Sequence, residues 1–173
     1  PQGMEAGLEA THYYDPPNLT FPFGSYICVM DIDPKTAEMK IRRFVAIDDC
    51  GNIINPMIVT GQVHGGLAMG IAPAMYEELI YDDEGNILNG TFMDYLLPTA
   101  VEVPNWETGH TITPSPHHPL GAKGVAESPT VGAPPAVANA VVDALSHLGV
   151  THVDIPVTPF KVWKILKEKG IIS

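Results

Sequence analysis

The stretch HPLGAKGVAESPTVGAPPAVANAVVDAL, residues 118–145, constrains the fold of this chain most strongly. It begins as a glycine-rich loop and ends as a helix-forming run with few charged residues. A helix that is apolar on nearly every side is stable only when other elements cover it. The stretch therefore predicts a buried helix with Glu127 near its entrance, and it raises the question of how 173 residues could surround a carboxylate there.

Three helices are predicted from spacing and end signals. Prolines at the start and Gly149 as the stop predict a helix over residues 134–149. A last amphipathic helix spans residues 159–170, with Thr158 as N-cap and Gly170 as the C-terminal stop. The third spans residues 57–79, because apolar side chains recur every three to four positions: Ile58, Val63, Leu67, Ile71 and Met75.

Glycines interrupt the 57–79 helix at four positions: Gly61, Gly65, Gly66 and Gly70. Each weakens a helix by up to about 1 kcal/mol relative to alanine. Small residues at this density indicate very close packing, either against backbone of a neighbouring element alone or against a ligand as well.

Strands are predicted before and between these helices. Residues 25–33 and 38–48 predict a hairpin around PKTA, with a bulge at RRF. Alternation places Tyr26, Cys28, Met30 and Ile32 on one face of the first strand, and the second strand carries Met39, Ile41, Phe44 and Ile47. Two more strands flank DDEG within residues 79–98, and short strands cover residues 110–113 and 151–158. Residues 1–24 read as an irregular lead-in. The expected fold class is α+β in two layers.

Composition narrows the class of protein. The chain is 45% hydrophobic and 17% charged, which suits one ordinary domain or two small lobes. A net charge of −11 without a basic stripe argues against a partner such as nucleic acid or an anionic membrane. The sequence contains no apolar run of about 18 residues, so it does not predict a segment inserted in a membrane. Two cysteines without a disulfide pattern favour the cytoplasm, and a first residue other than methionine suggests a fragment or a processed subunit.

Glu127 is the first candidate for chemistry. A carboxylate among glycines and before an apolar helix is expected to have little solvent nearby and can serve as a proton acceptor. The alternative is an acid that only interacts favourably with a helix N-terminus. Lys123, four residues earlier, could offset that carboxylate or hold an anion, and the flanking glycines let backbone N–H groups approach a ligand.

A second candidate is the GQVHGG segment, residues 61–66. The Gln62 amide offers donors and an acceptor, which suit the edge of a heterocycle. Alternatively, these side chains bond only to neighbouring backbone. His64, His117 and His118 lack metal-ligand spacing, so no protein-ligated metal is predicted. Cys50 is expected to be a buried structural thiol rather than a nucleophile.

Two long blocks carry a resemblance: residues 61–108 and residues 113–145. They resemble the C-terminal part of the large subunit of aerobic-type carbon monoxide dehydrogenases, in the xanthine dehydrogenase and aldehyde oxidase family of molybdenum hydroxylases. The similarity extends over about residues 25–165. It implies that residues 25–173 form a molybdenum cofactor-binding lobe with a two-layer mixed β-sheet and packed helices. It also implies a molybdopterin cofactor, as a cytosine dinucleotide, with molybdenum that takes no ligand from the protein.

The resemblance also assigns residues. Glu127 matches the glutamate of the family's KGxGE stretch and would act as the base. Gly61 and Gln62 would lie at the pterin edge, and a loop would present backbone groups near the metal centre: Lys123, Gly124, Val125 and Ala126. The family commonly has glycine where this chain has Ala126. Alanine there is strained by roughly 1 kcal/mol or more if the position needs a positive φ, and harmless otherwise.

The resemblance implies partners as well. They are the remainder of the large subunit and subunits with iron–sulfur clusters and FAD, in an oligomer, and the isolated chain would be inactive. The substrate would be a small carbonyl compound or a heterocycle, oxidised with water as the oxygen source. Neither Cys28 nor Cys50 lies in a stretch resembling the copper-holding loop of carbon monoxide dehydrogenases. Glu127 would then lie on one wall of a site that another segment completes. The alternative is a non-catalytic binding or assembly module with the same fold.

Overall fold

The computed structural model describes residues 7–172, in which a mixed three-stranded sheet is covered by helices. Strand β1 pairs antiparallel with β2, and β2 pairs parallel with β3. This arrangement confirms the predicted fold class. In chain order, the elements are β1 (Phe23–Ile32), β2 (Met39–Asp49), α1 (Pro56–Met75), β3 (Trp106–His110), α2 (Glu127–Leu145), a short 3-10 helix (Ser146–Leu148) and α3 (Pro159–Glu168).

The β1–β2 hairpin and its bulge are confirmed. Val29 pairs with Arg43 whereas Met30 pairs with Ile41, so Arg42 is the extra residue. An extra residue reverses the alternation of the strand that follows it. After the bulge Phe44, Ala46 and Asp48 are buried, whereas Ile47 is exposed; Asp49, the last residue of the strand, is buried as well.

Helix α1 begins where the sequence predicts and ends earlier, at Met75 rather than at residue 79. The side chain of Asn55 caps it by accepting hydrogen bonds from the N–H groups of Met57 and Ile58. Its predicted apolar face is buried except at one position, since Ile58 is 57% exposed. Four of the five predicted residues therefore belong to the core.

Helix α2 begins at Glu127 rather than at residue 134, and both prolines lie inside it. Pro134 has no N–H to donate to the carbonyl of Thr130, four residues earlier. That carbonyl faces α1, where a Cβ added to Gly70 would lie 2.8 Å from the Thr130 oxygen and 2.7 Å from the Ala133 Cβ. The close packing predicted from the glycines is confirmed at this contact.

Four predicted strands differ from the structure. Around DDEG the turn is present, but a single bridge between Tyr81 and Ile87 replaces the two strands. Strand β3 lies at residues 106–110 rather than 110–113, and residues 151–158 form no strand. There the chain instead packs against the end of α1, with the N–H of Val157 donating to the Ala74 carbonyl at 2.7 Å.

Helix α3 begins at Pro159 as predicted and ends at Glu168, just before the predicted end at residue 170. The Thr158 hydroxyl accepts a hydrogen bond from the Lys161 N–H, and Gly170 ends the helical region with a φ of +71°. Within residues 7–172 no helix has both the length and the apolar character needed to span a membrane. Residues 7–22 carry no helix or strand, and the domain boundary at residue 24 stays a prediction.

The connecting segment, residues 77–105, differs from the rest because its apolar side chains face solvent. It lies between α1 and β3 and has no strand or helix of its own. Several of its large side chains are exposed: Leu79, Leu88, Phe92, Met93, Leu96 and Val101. An apolar surface of this extent is typical of a region that another polypeptide segment covers.

Candidate functional site

The N-terminal end of α2 lies beside Gly66, in the middle of α1. A Cβ added to Gly66 would lie 3.1 Å from the Ala126 carbonyl oxygen and 2.6 Å from the Pro129 Cγ, whereas Gly70 approaches residues 130–134. The two helices therefore run parallel. Because the N-terminus of a helix carries a partial positive charge, the end of the molecule where α2 begins suits an anionic group.

Glu127 is the first residue of α2, and its side chain is exposed. It lines an open cavity of about 580 Å³, together with Phe21, Tyr26 and Ser128. The expectation that Glu127 has little solvent nearby is thus wrong for the described part of this chain, because no element covers the cavity from the opposite side. The position of Glu127 on one wall agrees with a site that further residues complete.

Three side chains next to Glu127 form what we call the hydroxyl–carboxylate triangle: Tyr26, Asp48 and Ser128. The Tyr26 hydroxyl donates a hydrogen bond to Asp48 Oδ1. The Ser128 hydroxyl donates to the same oxygen at 2.7 Å, and the two hydroxyl oxygens lie 2.7 Å apart. Burial and the hydrogen bond to Asp48 raise the pKa of Tyr26 above its ordinary value, so the phenol stays a donor.

Asp48 is 2% exposed, and its second oxygen, Oδ2, is buried without a hydrogen-bond partner among the described residues. Buried carboxylate oxygens usually have partners. Asp48 also borders a small cavity of about 90 Å³, lined in addition by Thr60, Thr108 and His110. A polar cavity of that size has room for a water molecule that could serve Oδ2.

By contrast, both carboxylate oxygens of Asp49, the next residue, have hydrogen-bond partners. Its Oδ1 lies 3.1 Å from the Lys123 Nζ, and both side chains are buried. Oδ1 also accepts hydrogen bonds from the Gly51 and Thr113 N–H groups, and Oδ2 accepts one from the Thr111 hydroxyl. Burial alone would raise the pKa of Asp49, but these hydrogen bonds outweigh it and hold the pKa well below its usual range.

The prediction that the Lys123 side chain offsets Glu127 or holds an anion is therefore wrong. Its ammonium group is paired with Asp49 and lies 4.4 Å from the centre of the Phe23 ring. The physical reason is burial, because an unpaired carboxylate at Asp49 would be costly. Sequence reasoning missed this pair, which joins residues 74 positions apart.

The loop of residues 123–126 presents less free backbone than predicted. The Lys123 N–H donates to the Cys50 carbonyl at 2.8 Å, and the Gly124 N–H donates to the Thr20 carbonyl at 3.3 Å. Ala126 has a φ of −60°. Since that is ordinary right-handed backbone, alanine in place of the family's glycine is harmless. Val125 is half-buried beside the N-terminal end of α1.

No side chain caps α2, because Ala126 occupies the N-cap position. The first N–H groups of a helix have no partner within the helix itself. In α2 they belong to Glu127 and Ser128, since Pro129 has none. These donors point toward the same end of the molecule as Glu127.

Gln62 and Gly61 lie on the exposed face of α1, one helical turn before the contact of Gly66 with α2. The Gln62 amide makes no side-chain hydrogen bond within residues 7–172, and a Cβ added to Gly61 would meet no atom within 4 Å. His64 differs, with its Nε2 atom 3.4 Å from the Thr108 hydroxyl. The structure therefore brings Gln62 to the same end as Glu127 while leaving its amide free.

Metal-ligating side chains do not converge in the described chain: residues 7–172 contain no group of three His, Cys, Asp or Glu that could hold a metal ion. Cys50 is buried, as predicted for a structural thiol, and burial raises its pKa. The donors at this end are backbone N–H groups and an amide. They suit the ring edge and phosphates of an organic cofactor better than a bare ion.

Comparison with known proteins identifies the class. The family model described as a molybdopterin cofactor-binding domain matches residues 2–104. The chain belongs to this family, and its relatives are molybdenum-dependent dehydrogenases and hydroxylases. The large chain of carbon monoxide dehydrogenase from Hydrogenophaga pseudoflava is 63% identical over 171 residues, which are 99% of this chain and 21% of that protein. The chain thus spans about a fifth of the length of the relatives it matches.

Solved structures agree with this assignment. The crystal structure of a Cu,Mo-CO dehydrogenase superposes with a TM-score of 0.92 at 56% identity. The superposed region is 99% of this chain and 22% of the dehydrogenase chain. Quinoline 2-oxidoreductase from Pseudomonas putida 86 superposes with a TM-score of 0.90 at 45% identity, over 97% of this chain and 21% of that one. The resemblance to the carbon monoxide dehydrogenase and xanthine dehydrogenase family is confirmed.

Proposed function

We propose that the chain is the C-terminal cofactor-binding part of the large subunit of a molybdenum hydroxylase, with Glu127 as the catalytic base. The observation that carries the proposal is the placement of Glu127 on the exposed first turn of α2, on the wall of a cavity of about 580 Å³. An exposed carboxylate there can accept a proton from a water-derived nucleophile that lies in the cavity.

The donors at this end suit a molybdopterin cofactor, for which we propose the cytosine dinucleotide form. Gln62 would bond to the pterin edge, and Gly61 would let that edge approach α1 closely. Uncapped N–H groups at the start of α2 would donate to anionic groups of the cofactor. When bound, the cofactor supplies the two-electron oxidation, with water as the oxygen source. The protein supplies position and the base.

Carbon monoxide is the substrate that we propose first, because the 63% identical relative is a carbon monoxide dehydrogenase large chain. A heterocycle or an aldehyde is the second candidate. The TM-score of 0.90 to quinoline 2-oxidoreductase favours the heterocycle, and the TM-score of 0.72 to an aldehyde oxidoreductase from Desulfovibrio gigas supports the aldehyde. The copper-holding loop that the resemblance places in carbon monoxide dehydrogenases matches no part of this chain. That loop therefore decides between the two candidates.

The exposed apolar surface of the connecting segment is the basis on which we propose partner segments. We propose that the remainder of the large subunit covers the connecting segment, residues 77–105, and closes the cavity at Glu127. Electrons would leave through iron–sulfur and FAD subunits of an oligomeric, cytoplasmic complex. The isolated chain would then be inactive, because the cavity lacks its second wall.

The test is Glu127→Gln in the reconstituted holoenzyme. Glutamine keeps the shape of the side chain but accepts no proton, so turnover should fall by at least about 10²-fold. Molybdenum content should stay at the parent level. Turnover is measured with a dye as electron acceptor on carbon monoxide, an aldehyde and quinoline in parallel, and ¹⁸O from labelled water is sought in the products of the latter two.

Glu168→Gln is the matched control, because Glu168 is an exposed glutamate at the end of α3. Normal turnover in Glu127→Gln would contradict the base role. A native complex that contains this chain without molybdenum would instead support the alternative, a non-catalytic binding or assembly module.

A further inference from the structure

We propose that the hydroxyl–carboxylate triangle of Tyr26, Asp48 and Ser128 is a positioning device that fixes the first turn of α2 and thereby the Glu127 carboxylate. The inference rests on the base role proposed for Glu127. None of the three residues needs to touch the substrate, so they are positioning residues rather than catalytic ones.

The first step is the connection between Ser128 and Glu127. Ser128 directly follows Glu127, and both belong to the first turn of α2. A serine, threonine, asparagine or aspartate before the helix usually holds such a turn. Here Ala126 offers no capping oxygen, so the Ser128 hydroxyl supplies the side-chain attachment by donating to Asp48 Oδ1 at 2.7 Å.

The second step is the rigidity of the acceptor. Asp48 is 2% exposed and lies at the end of β2, which is paired on both sides by β1 and β3. A central strand is among the least mobile parts of a domain. The triangle therefore ties a helix end, which frays readily, to the middle of the sheet.

The third step is the space reserved for Tyr26. A Cβ added to Gly24 would lie 2.8 Å from the Tyr26 Cζ, and a Cβ added to Gly132 would collide with the ring carbons Cδ2 and Cε2. Neither glycine has a positive φ. Their role is consequently to leave room for the ring, which places the Tyr26 hydroxyl against both Asp48 and Ser128.

The experiment compares Ser128→Ala with the parent in the full holoenzyme. Ser146→Ala is the matched control, since the Ser146 hydroxyl donates to the Asp143 carbonyl at the other end of α2. Amide hydrogen exchange is followed on a peptide covering residues 124–132, and kcat, KM and molybdenum content are measured on whichever substrate the parent oxidises.

Ser128→Ala should speed exchange in residues 124–132 and lower kcat by about 10-fold or more, as small displacements of a catalytic group do. KM and molybdenum content should stay within about twofold, within the scatter allowed for unchanged binding. Ser128→Thr, which keeps a hydroxyl, should recover most of the exchange protection and of the rate. Ser146→Ala should leave both at parent values.

Unchanged exchange in Ser128→Ala would overturn the proposal, as would faster exchange with a parent-like kcat. A fall in kcat that is matched by loss of molybdenum would also overturn it, because the effect would then be on cofactor retention. The exchange readout does not depend on the chemistry of Glu127. A failure of the base role in Glu127→Gln is therefore distinguishable from a failure of the anchoring.

Discussion

Asp48 and Asp49 are neighbours at the end of β2, but their carboxylates have opposite surroundings. The Asp49 carboxylate pairs with the buried ammonium group of Lys123 and accepts three hydrogen bonds, from Gly51, Thr111 and Thr113. Asp48 accepts hydrogen bonds from two hydroxyl groups on one oxygen, and residues 7–172 supply no donor to the other. Side chains at consecutive positions of a strand point to opposite faces, so one residue step separates the two environments.

The polar contacts of the two carboxylates lead to different parts of the molecule. Every contact of Asp49 is supplied by the loops around residues 51, 111–113 and 123, and those contacts close the fold. Asp48 reaches the first turn of α2, beside Glu127, and keeps an oxygen unused. A buried polar atom without a partner is uncommon, and a bound water or a functional role is among its explanations.

The largest effect is expected on the Asp49 side, from Lys123→Met. Removing the cation leaves a buried carboxylate without its partner, which costs about 3–5 kcal/mol. The free energy of unfolding of the chain, from urea denaturation followed by tryptophan fluorescence, measures it. Lys35→Met, at an exposed turn position, should change that free energy by no more than about 0.5 kcal/mol. A cost below about 1 kcal/mol for Lys123→Met would mean that the pair is not needed.

A smaller effect is expected on the Asp48 side, from Gly132→Ala. The new methyl group collides with the Tyr26 ring, and such overpacking costs about 1–3 kcal/mol. Gly65→Ala on α1 is the control, because a Cβ there meets no atom within 4 Å. It should stabilise the chain by up to about 1 kcal/mol in the same denaturation assay. Equal signs for the two variants would contradict the assigned role of Gly132.

The smallest effect is expected on the way the free energy of unfolding changes at acidic pH. The folded-state pKa of Asp49 is lowered, so its stabilisation is fully present above the unfolded pKa of about 4 and is lost as the pH falls below it. Thr111→Val removes one donor and should cost about 1 kcal/mol at pH 7. Because the unfolded pKa is common to both chains, that gap should persist at about pH 4 and narrow only as the pH falls toward the lowered folded-state pKa of Asp49, where the carboxylate of the folded chain becomes protonated. Thr111→Ser should follow the parent, and a constant gap would exclude Asp49 as the cause.

Local patterns predicted the elements whose signals lie within one segment. The β1–β2 hairpin and its bulge follow from alternation around PKTA, and both ends of α3 follow from Thr158 and Gly170. The start of α2 could not be predicted in this way. Pro134 is an ordinary start signal, yet here its missing N–H leaves the Thr130 carbonyl to face Gly70, a contact between two helices that no single segment reveals.

The residues of the candidate site also differ in how far the sequence predicts them. Glu127, Gln62 and Gly61 were found from glycine-rich surroundings and a family resemblance. Lys123 was assigned the wrong partner because Asp49 is distant in sequence. The sequence predicted no role at the site for Tyr26, Asp48 or Ser128. One signal was present: the pair Asp48–Asp49 directly follows an apolar run, and two adjacent carboxylates need partners once they are buried.

The triangle and the Lys123 ion pair also set an order of assembly. Tyr26 and Ser128 are 102 residues apart, and Asp49 and Lys123 are 74 apart. Closing loops of that length costs more conformational entropy than closing the β1–β2 hairpin, so they form after local structure. During synthesis the sheet edge and α1 can form well before residue 128 leaves the ribosome. We therefore expect the cavity wall that bears Glu127 to form after the β1–β2 hairpin, and a partner that needs that wall would bind only then.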